Sequence, residues 1–135
     1  MHCIRRIWSI DMFEINKNYT REFIHTACGG SKQAFLPTKN GKVVAACLRT
    51  DLNPQAPDVI ICDGSASARA AGRTLANQGG AIPVFIKMET DAFRFIGLFA
   101  VSESLTAPLD CTPFVRNSGF TTGQVSRVLK MKRCE

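Results

Sequence analysis

The period at which hydrophobic and polar residues alternate changes along the chain, and it predicts several strands and one clear helix. Residues 59–63, VIICD, form a short apolar run that predicts a buried strand. Two longer apolar segments, residues 81–88 and 93–104, are separated by the polar tetrapeptide ETDA and predict the two strands of a hairpin. A sheet whose strands follow one another closely is therefore the main feature that we expect.

Residues 65–78 differ from these strands because they are rich in alanine, which predicts a helix. Ser65 is the expected N-cap, and Gly79-Gly80 marks the end of the helix. Small residues on one face of this helix would let it approach a sheet closely. Arg69 and Arg73 are four residues apart, so they project together from another face.

A helix and a hairpin are predicted in the N-terminal half. Residues 21–28, REFIHTAC, predict a short helix whose N-cap is either Asn18 or Thr20. Asn40-Gly41 lies between two β-rich arms in residues 33–49. This dipeptide suits a two-residue type I′ turn, in which both central residues need a positive φ.

The two ends of the chain have weaker patterns. Residues 1–18 show no clear period and predict an arm whose bulky side chains, such as Trp8, pack on the domain. Residues 105–124 are rich in proline and glycine and predict turns. Residues 124–133 predict a basic strand or a short helix.

This succession, in which strands outnumber helices, is typical of the α+β class. We expect a small, strongly curved, mixed or antiparallel β-barrel with two short helices, because closure of the sheet would remove its edges. A chain of 135 residues predicts a single domain that buries its core without disulfides. Within the domain 1–135, we expect an arm (1–18), a core (19–104) and a turn-rich basic segment (105–135).

The charge is unevenly distributed. The chain carries 17 Lys+Arg and 11 Asp+Glu, a net charge of +6. Residues 1–49 hold 8 basic and 3 acidic side chains, residues 50–113 hold 4 and 7, and residues 114–135 hold 5 and 1. Positive charge at both ends favours an anionic partner such as nucleic acid.

The cysteines and histidines predict no metal site and no cofactor. The six cysteines include no C-x-x-C pair, and His2 and His25 do not complete a tetrahedral zinc site. Cys47 and Cys62 fall in apolar runs, where a thiol behaves as a small hydrophobe, and we expect all six to be reduced. We see neither a secretory signal nor a membrane span, so we expect a cytoplasmic protein.

Motifs for catalysis are not recognisable. The sequence has no G-x-S-x-G, no P-loop and no G-x-G-x-x-G. Glu89 and Asp91 lie close together in sequence, but they occupy the expected tip of a hairpin, where carboxylates are usually solvated. We therefore expect a protein that is not an enzyme and has no catalytic residues.

One loop combines prolines with polar side chains. Asn53-Pro54-Gln55-Ala56-Pro57-Asp58 directly precedes the strand at 59–63. Prolines reduce the freedom that such a loop loses on ordering, so it could hold Asn53, Gln55 and Asp58 ready at the rim of a pocket. The alternative is an ordinary turn in which Asn53 only caps the backbone. Both interpretations are open at this point.

The segment RFIGLFAV, residues 94–101, resembles the R-Y-D-G-(L/I)-Y-x-V strand of SRA domains, also called YDG domains. A wider similarity covers residues 31–104, where the hairpin, the proline loop, the alanine-rich helix ending in Gln78 and the last two strands follow in order. This order is similar to the SRA-like domain of McrA-type, HNH-bearing modification-dependent restriction endonucleases. Ile96 stands where the family has the Asp of Y-D-G, and we find no HNH segment.

The resemblance implies an SRA/PUA-like barrel that binds DNA without catalysis, by flipping a modified base into a pocket. Such a pocket needs polar groups for the base edge, a planar ring for stacking and cations for the backbone. The base-pocket candidates are Phe35, Asn53, Gln55, Asp58, Gln78 and Lys87. The phosphate-contact candidates are Lys39, Lys42, Arg49, Arg69, Arg73, Lys130, Lys132 and Arg133.

Two other functions fit the same sequence. One is a structural or protein-interaction barrel with no role in nucleic-acid binding, which a dry apolar patch near Trp8 and Phe13 would favour. The other is a small hydrolase with an unrecognised cysteine or aspartate site, for which Cys28 or Asp58 with a perturbed pKa would be evidence.

Overall fold

The computed structural model describes residues 12–134, so most of the predicted arm, including Trp8, and the last residue lie outside the description. Three helices are present in the described part: α1 (Arg21–Cys28), α2 (Ala66–Gln78) and α3 (Pro108–Val115), with a 3-10 turn at Thr122–Gln124. The strands are β1 (Asn18–Tyr19), β2 (Thr38–Lys39), β3 (Lys42–Val43), β4 (Ala46–Leu48), β5 (Val59–Asp63), β6 (Ile82–Glu89), β7 (Ala92–Leu105) and β8 (Val125–Arg133).

The sheet is mixed, as predicted. Its strand order is β4-β6-β7-β8-β5, and β1 adds a short pairing to β7. β4 runs parallel to β6, and the other neighbours are antiparallel. Register shifts interrupt the β6–β7, β7–β8 and β5–β8 ladders, and such bulges bend and twist the strands that contain them.

Most of the predicted elements are confirmed. Thr20 is the N-cap of α1 and accepts a hydrogen bond from the backbone N–H of Phe23 at 3.1 Å. Ser65 caps α2 by accepting from the N–H of Ala68 at 3.3 Å. The Asn40-Gly41 turn joins β2 to β3 with φ values of 53° and 76°, as a type I′ turn requires.

In the C-terminal third, one element differs from the prediction, and the segment that the sequence left open between a strand and a helix is now assigned. We expected two helices, but α3 is a third one within the segment predicted as turns. Pro108 occupies its first turn, where a missing N–H is tolerated, and Pro113 lies inside it. The basic segment that followed is a strand, β8, and it pairs with both β7 and β5.

The predicted closed barrel is not confirmed: in the described residues, β4 and β5 remain the two edges of the sheet. One backbone N–H group on each of these edges already has an acceptor. Cys47 donates its backbone N–H to the carbonyl of Phe35 at 2.8 Å, and Ile61 donates to Asn53 Oδ1 at 2.8 Å. The segments before β4 and before β5 therefore take positions that a directly paired strand would need, and a gap is left between the two edges.

Three groups of buried side chains hold the helices on the sheet. Leu75 of α2 packs with Val84 and Phe99 from the sheet. Ile24 of α1 shares a second cluster with phenylalanines of β6 and β7, and α3 covers a third one over β5 and β8. Phe13, near which an apolar surface patch would have favoured a protein-interaction role, is only 5% exposed and belongs to the second cluster.

Gly72 allows α2 to lie directly against β5. A Cβ atom at this position would come within 2.8 Å of the Sγ of Cys62, which is fully buried. We expect Gly72→Ala to lower the free energy of unfolding by about 1 kcal/mol, because overpacking of about 1–3 kcal/mol outweighs the ~1 kcal/mol gain in helix propensity. Urea denaturation measures this.

Two variants make that measurement specific. Gly123→Ala is the matched control, because nothing lies within 4 Å of the added Cβ and the change should be neutral. Adding Cys62→Ala to Gly72→Ala should recover part of the loss, since it removes the sulfur that the new methyl meets. An additive double variant would contradict this explanation.

Among the described residues, Cys134 departs from the expectation that all six cysteines are reduced. Cys47, Cys62 and Cys111 are buried free thiols. Cys134 is disulfide-bonded. None of the helices in residues 12–134 is long and apolar enough to cross a membrane.

Candidate functional site

A cavity of about 420 Å³ lies where the two edges of the sheet approach each other. β4 contributes Cys47 and β5 contributes Ile61 and Asp63 to its wall. The loop between β4 and β5, the start of α2, and residues 33–35 supply further sides, together with Arg21 of α1, Lys87 of β6 and Phe93 of β7. Its volume falls within the range of pockets that hold small ligands.

Three phenylalanines give the cavity an aromatic lining. Phe93 is buried, and the guanidinium of Arg21 lies 5.5 Å from the centre of its ring. Phe35 is half-buried and also lines a neighbouring groove of about 340 Å³ against α2, so it borders two open spaces. Phe120 closes the side next to α3. Flat rings of this kind can stack on a planar ligand.

Asp63 is a carboxylate of the cavity that the sequence analysis did not select. It is the last residue of β5, and its Oδ1 accepts a hydrogen bond from the backbone N–H of Ser65 at 2.7 Å. Oδ2 has no partner among the described residues. The signal in the sequence was an acidic residue that ends an apolar strand and immediately precedes a helix N-cap.

Asn53 combines a structural contact with a position on the cavity wall. It is 4% exposed, and its Oδ1 accepts the hydrogen bond from the backbone N–H of Ile61. None of the described residues accepts a hydrogen bond from its Nδ2. The amide therefore supports the edge of β5 and can still donate to a molecule in the cavity.

Positive charge surrounds the entrance. Arg21 is fixed by hydrogen bonds from Nη2 to the carbonyls of Ser31 and Ala34, at 2.8 and 2.9 Å, while its Nε is buried without a partner in the described part of the chain. Arg49 is exposed and paired with Asp51 at 2.6 Å. Lys87 is half-buried and forms no ion pair within residues 12–134.

The thiol in the cavity wall is not activated. Burial raises the pKa of Cys47 to about 11, and the nearby Arg21 lowers it only in part. A nucleophilic cysteine needs the opposite shift, since the thiolate is the reactive form. Cys47 is therefore a neutral, soft lining group at ordinary pH.

The raised pKa also makes a prediction about alkaline stability. An unfolded cysteine ionises near pH 9, whereas Cys47 in the folded protein stays protonated up to about pH 11. The contribution of the protonated Cys47 thiol to the free energy of unfolding is complete below pH 9. It is lost as the pH rises through 11, by at most about 1.4 kcal/mol per pH unit.

We therefore expect the stability advantage of the wild type over Cys47→Ala to shrink between pH 9 and pH 11. Urea denaturation of both proteins at several pH values measures it, and the comparison cancels groups that both proteins share. Parallel stability curves would show that Cys47 ionises equally in the folded and unfolded states.

The cavity contains half of the base-pocket candidates selected from the sequence. Phe35, Asn53 and Lys87 line it. Gln55 and Asp58 are not among its lining residues, although they belong to the same loop as Asn53. Gln78 is also outside: its side chain bridges the backbone N–H and C=O of Val43, at 2.8 and 2.9 Å.

The phosphate-contact candidates are spread over several surfaces. Arg49 lies at the cavity, Arg69 and Arg73 lie on α2, and Lys39 and Lys42 face solvent on the β2–β3 hairpin. The other three, Lys130, Lys132 and Arg133, are at the far end of β8. At about 3.3 Å per residue, Lys132 is some 23 Å along β8 from Val125, which pairs with Asp63.

The strand that resembled the SRA signature is β7. Gly97 has a φ of 139° and pairs with Val84 at the bulge between β6 and β7, a conformation that other residues rarely adopt. Ile96, which replaces the family's Asp, packs on the first core cluster and does not line the cavity. Its apolar side chain is therefore explained by packing.

Metal ligands do not converge in the described residues. No three His, Cys, Asp or Glu side chains within 12–134 are arranged to hold a metal ion. The only described histidine, His25, is 2.6 Å from the carbonyl of Gly30 through Nδ1, next to the end of α1.

The arrangement of the strands and helices has counterparts among solved structures. No family model and no curated protein matches the sequence. The SRA domain of SUVH5 in complex with hemi-methylated CG DNA superposes with a TM-score of 0.59 and 12% identity, over 90% of this chain and 88% of that one. The SUVH5 SRA domain bound to fully hydroxymethylated CG DNA gives 0.55 and 13%, over 89% of each chain.

At these identities the likeness concerns the fold. The chain thus has an α+β fold of the SRA type, as the resemblance in β7 implied. Neither structure is an HNH-bearing protein by its description, so the McrA-type context remains a prediction.

Proposed function

We propose that this protein is a non-enzymatic DNA-binding module that captures a modified, extruded base of duplex DNA in the cavity between β4 and β5. One observation carries the proposal. The cavity brings aromatic rings, a carboxylate and free hydrogen-bond donors together, in a fold similar to two SRA domains described as DNA complexes. A flipped base needs these three kinds of group.

The polar groups favour a base that carries an exocyclic amine. Asp63 Oδ2 can accept a hydrogen bond from such an amine, which cytosine and adenine have. The free Nδ2 of Asn53 can donate to a ring carbonyl or ring nitrogen. Phe35, which is half-buried, offers a face for stacking. Cytosine presents an amine beside a ring nitrogen and a carbonyl. It can therefore donate to Asp63 Oδ2 and accept from Asn53 Nδ2 at the same time.

Cations around the entrance suit the backbone of the extruded nucleotide. Lys87 is half-buried at the cavity and has no ion-pair partner among the described residues. Arg49 can exchange its exposed pairing with Asp51 for a phosphate, since exposed ion pairs contribute little. Such contacts would add affinity without reading the base.

A titration of labelled duplexes tests the proposal. Fluorescence anisotropy is measured with short duplexes that contain unmodified cytosine, 5-methylcytosine or 5-hydroxymethylcytosine at one position, each at two salt concentrations. Tighter binding to one modified duplex that persists at higher salt is expected, because base contacts depend less on salt than phosphate contacts do. Equal binding of all duplexes that disappears with salt would overturn base recognition.

The same titration separates the competing functions. A protein-interaction module would bind none of the duplexes. A hydrolase would alter the DNA or release a base during long incubation, which gel electrophoresis and chromatography of the digested DNA would detect. Neither result is expected.

A further inference from the structure

A second cleft, of about 310 Å³, is lined by three arginines and contains no carboxylate of the described residues. Arg69 and Arg73 come from α2, and Arg127 comes from the start of β8. We call this the arginine cleft. It adjoins the candidate cavity through residues 63–65: Arg69 Nε donates to the carbonyl of Gly64 at 3.1 Å, and Ser126 Oγ donates to the carbonyl of Asp63 at 2.6 Å.

The fold brings these three charges together. Arg69 and Arg73 are one helical turn apart and therefore share a face of α2. Gly72 lets the helix approach β8 closely, so that an added Cβ would lie 3.6 Å from Cδ of Arg127. Arg127 is held in place because its Nη1 donates to Ser104 Oγ at 2.6 Å.

None of the three guanidinium groups forms an ion pair within residues 12–134. Other basic residues do: Arg49 pairs with Asp51, and Lys130 pairs with Glu103. Like charges one helical turn apart destabilise a helix, and a third cation beside them adds to the repulsion. An anion in the arginine cleft would remove this repulsion.

We infer that the arginine cleft binds a phosphate group of the DNA backbone next to the nucleotide captured in the cavity. The inference rests on the proposed function for the source of the phosphate. Guanidinium groups bind phosphate oxygens through two parallel N–H donors, which makes arginine suited to this task. Because residues 63–65 adjoin both sites, the backbone of a strand that placed its base beside Asp63 would come within reach of the cleft.

Arg73→Gln is the most informative variant for testing the arginine cleft. The Arg73 side chain makes no hydrogen bond to the described residues, so its loss should leave the fold intact. Arg116→Gln removes the same charge from an exposed position outside the cleft and is the matched control. Affinity for modified and unmodified duplexes is measured over a range of salt concentrations.

Arg73→Gln should weaken binding of both duplexes by the same factor, about tenfold at low salt, and reduce the slope of log K against log salt by about 0.9. The preference for the modified duplex should not change. Arg116→Gln should leave the slope as it is in the wild type. Equal effects of the two variants, or a changed preference in Arg73→Gln, would overturn the assignment of the phosphate to this cleft.

A second measurement separates this inference from the proposed function. Pyrophosphate is added to ¹⁵N-labelled protein, and the Nε–H resonances of the arginines are followed. Saturable shifts of Arg69, Arg73 and Arg127, absent in Arg73→Gln, support the cleft as a phosphate site even if all duplexes bind equally. Absence of shifts in the wild type overturns it, even if a modified duplex is preferred.

Discussion

Asp63→Asn should abolish most of the preference for a modified duplex while leaving the fold unchanged. The amide keeps an oxygen to accept the hydrogen bond from Ser65, but it places an NH₂ group or a neutral oxygen where the carboxylate would accept from the base. A hydrogen bond to a charged group contributes about 1.5–3 kcal/mol. The affinity for the modified duplex, whose base the proposal places in the cavity, should therefore fall by about 10- to 100-fold. The affinity for unmodified DNA should change little, because its bases stay in the stack and do not reach Asp63.

Asp58→Asn is the matched control for this prediction. Asp58 directly precedes β5 and Asp63 ends it, and both substitutions remove one negative charge. Asp58 does not line the cavity. Anisotropy titrations of both variants with modified and unmodified duplexes make the comparison. A loss of preference in Asp58→Asn, with Asp63→Asn unaffected, would place base recognition at the proline loop that the sequence suggested first.

The sequence allowed the regular elements to be predicted because their signals are local. VIICD is a strand with the predicted ends, and Asn40-Gly41 forms the predicted turn. α3 was missed because prolines at 108 and 113 are typical of turns, although one sits in the first helical turn and burial of Cys111 and Val115 stabilises the rest. Packing here outweighs local propensity.

The partnership of β4 could not be predicted from local patterns. The chain from the first hairpin through residue 48 looks continuous, yet β4 leaves the hairpin and runs parallel to β6, more than thirty residues later. Parallel pairing depends on contacts distant in sequence. The open gap between β4 and β5, where the cavity lies, could not be predicted from the sequence for the same reason.

The candidate site was half predicted. The polar residues of the proline loop included Asn53, which lines the cavity, but the chemistry of Gln55 and Gln78 looked equally suitable. Which amide faces a cavity depends on the direction of each side chain in the fold, and Gln78 is used to bridge the backbone of Val43. Asp63 was overlooked because a single acidic residue at a strand end is common in any sheet.

Asn53→Ala should have the largest effect on stability among the cavity residues that we have considered. Removing Oδ1 leaves the backbone N–H of Ile61 without an acceptor at the buried edge of β5, which costs about 1–3 kcal/mol. Gln55→Ala changes an exposed side chain of the same loop and should alter the free energy of unfolding by less than about 0.5 kcal/mol. Urea denaturation gives both values.

Binding by the folded fraction of Asn53→Ala then distinguishes its two roles. If Nδ2 donates to the captured base, affinity for the modified duplex falls further than affinity for unmodified DNA, after correction for the unfolded population. If Asn53 only supports the edge of β5, both affinities fall equally. Unchanged stability in Asn53→Ala would contradict the explanation that this side chain, rather than a paired strand, satisfies the open edge of the sheet.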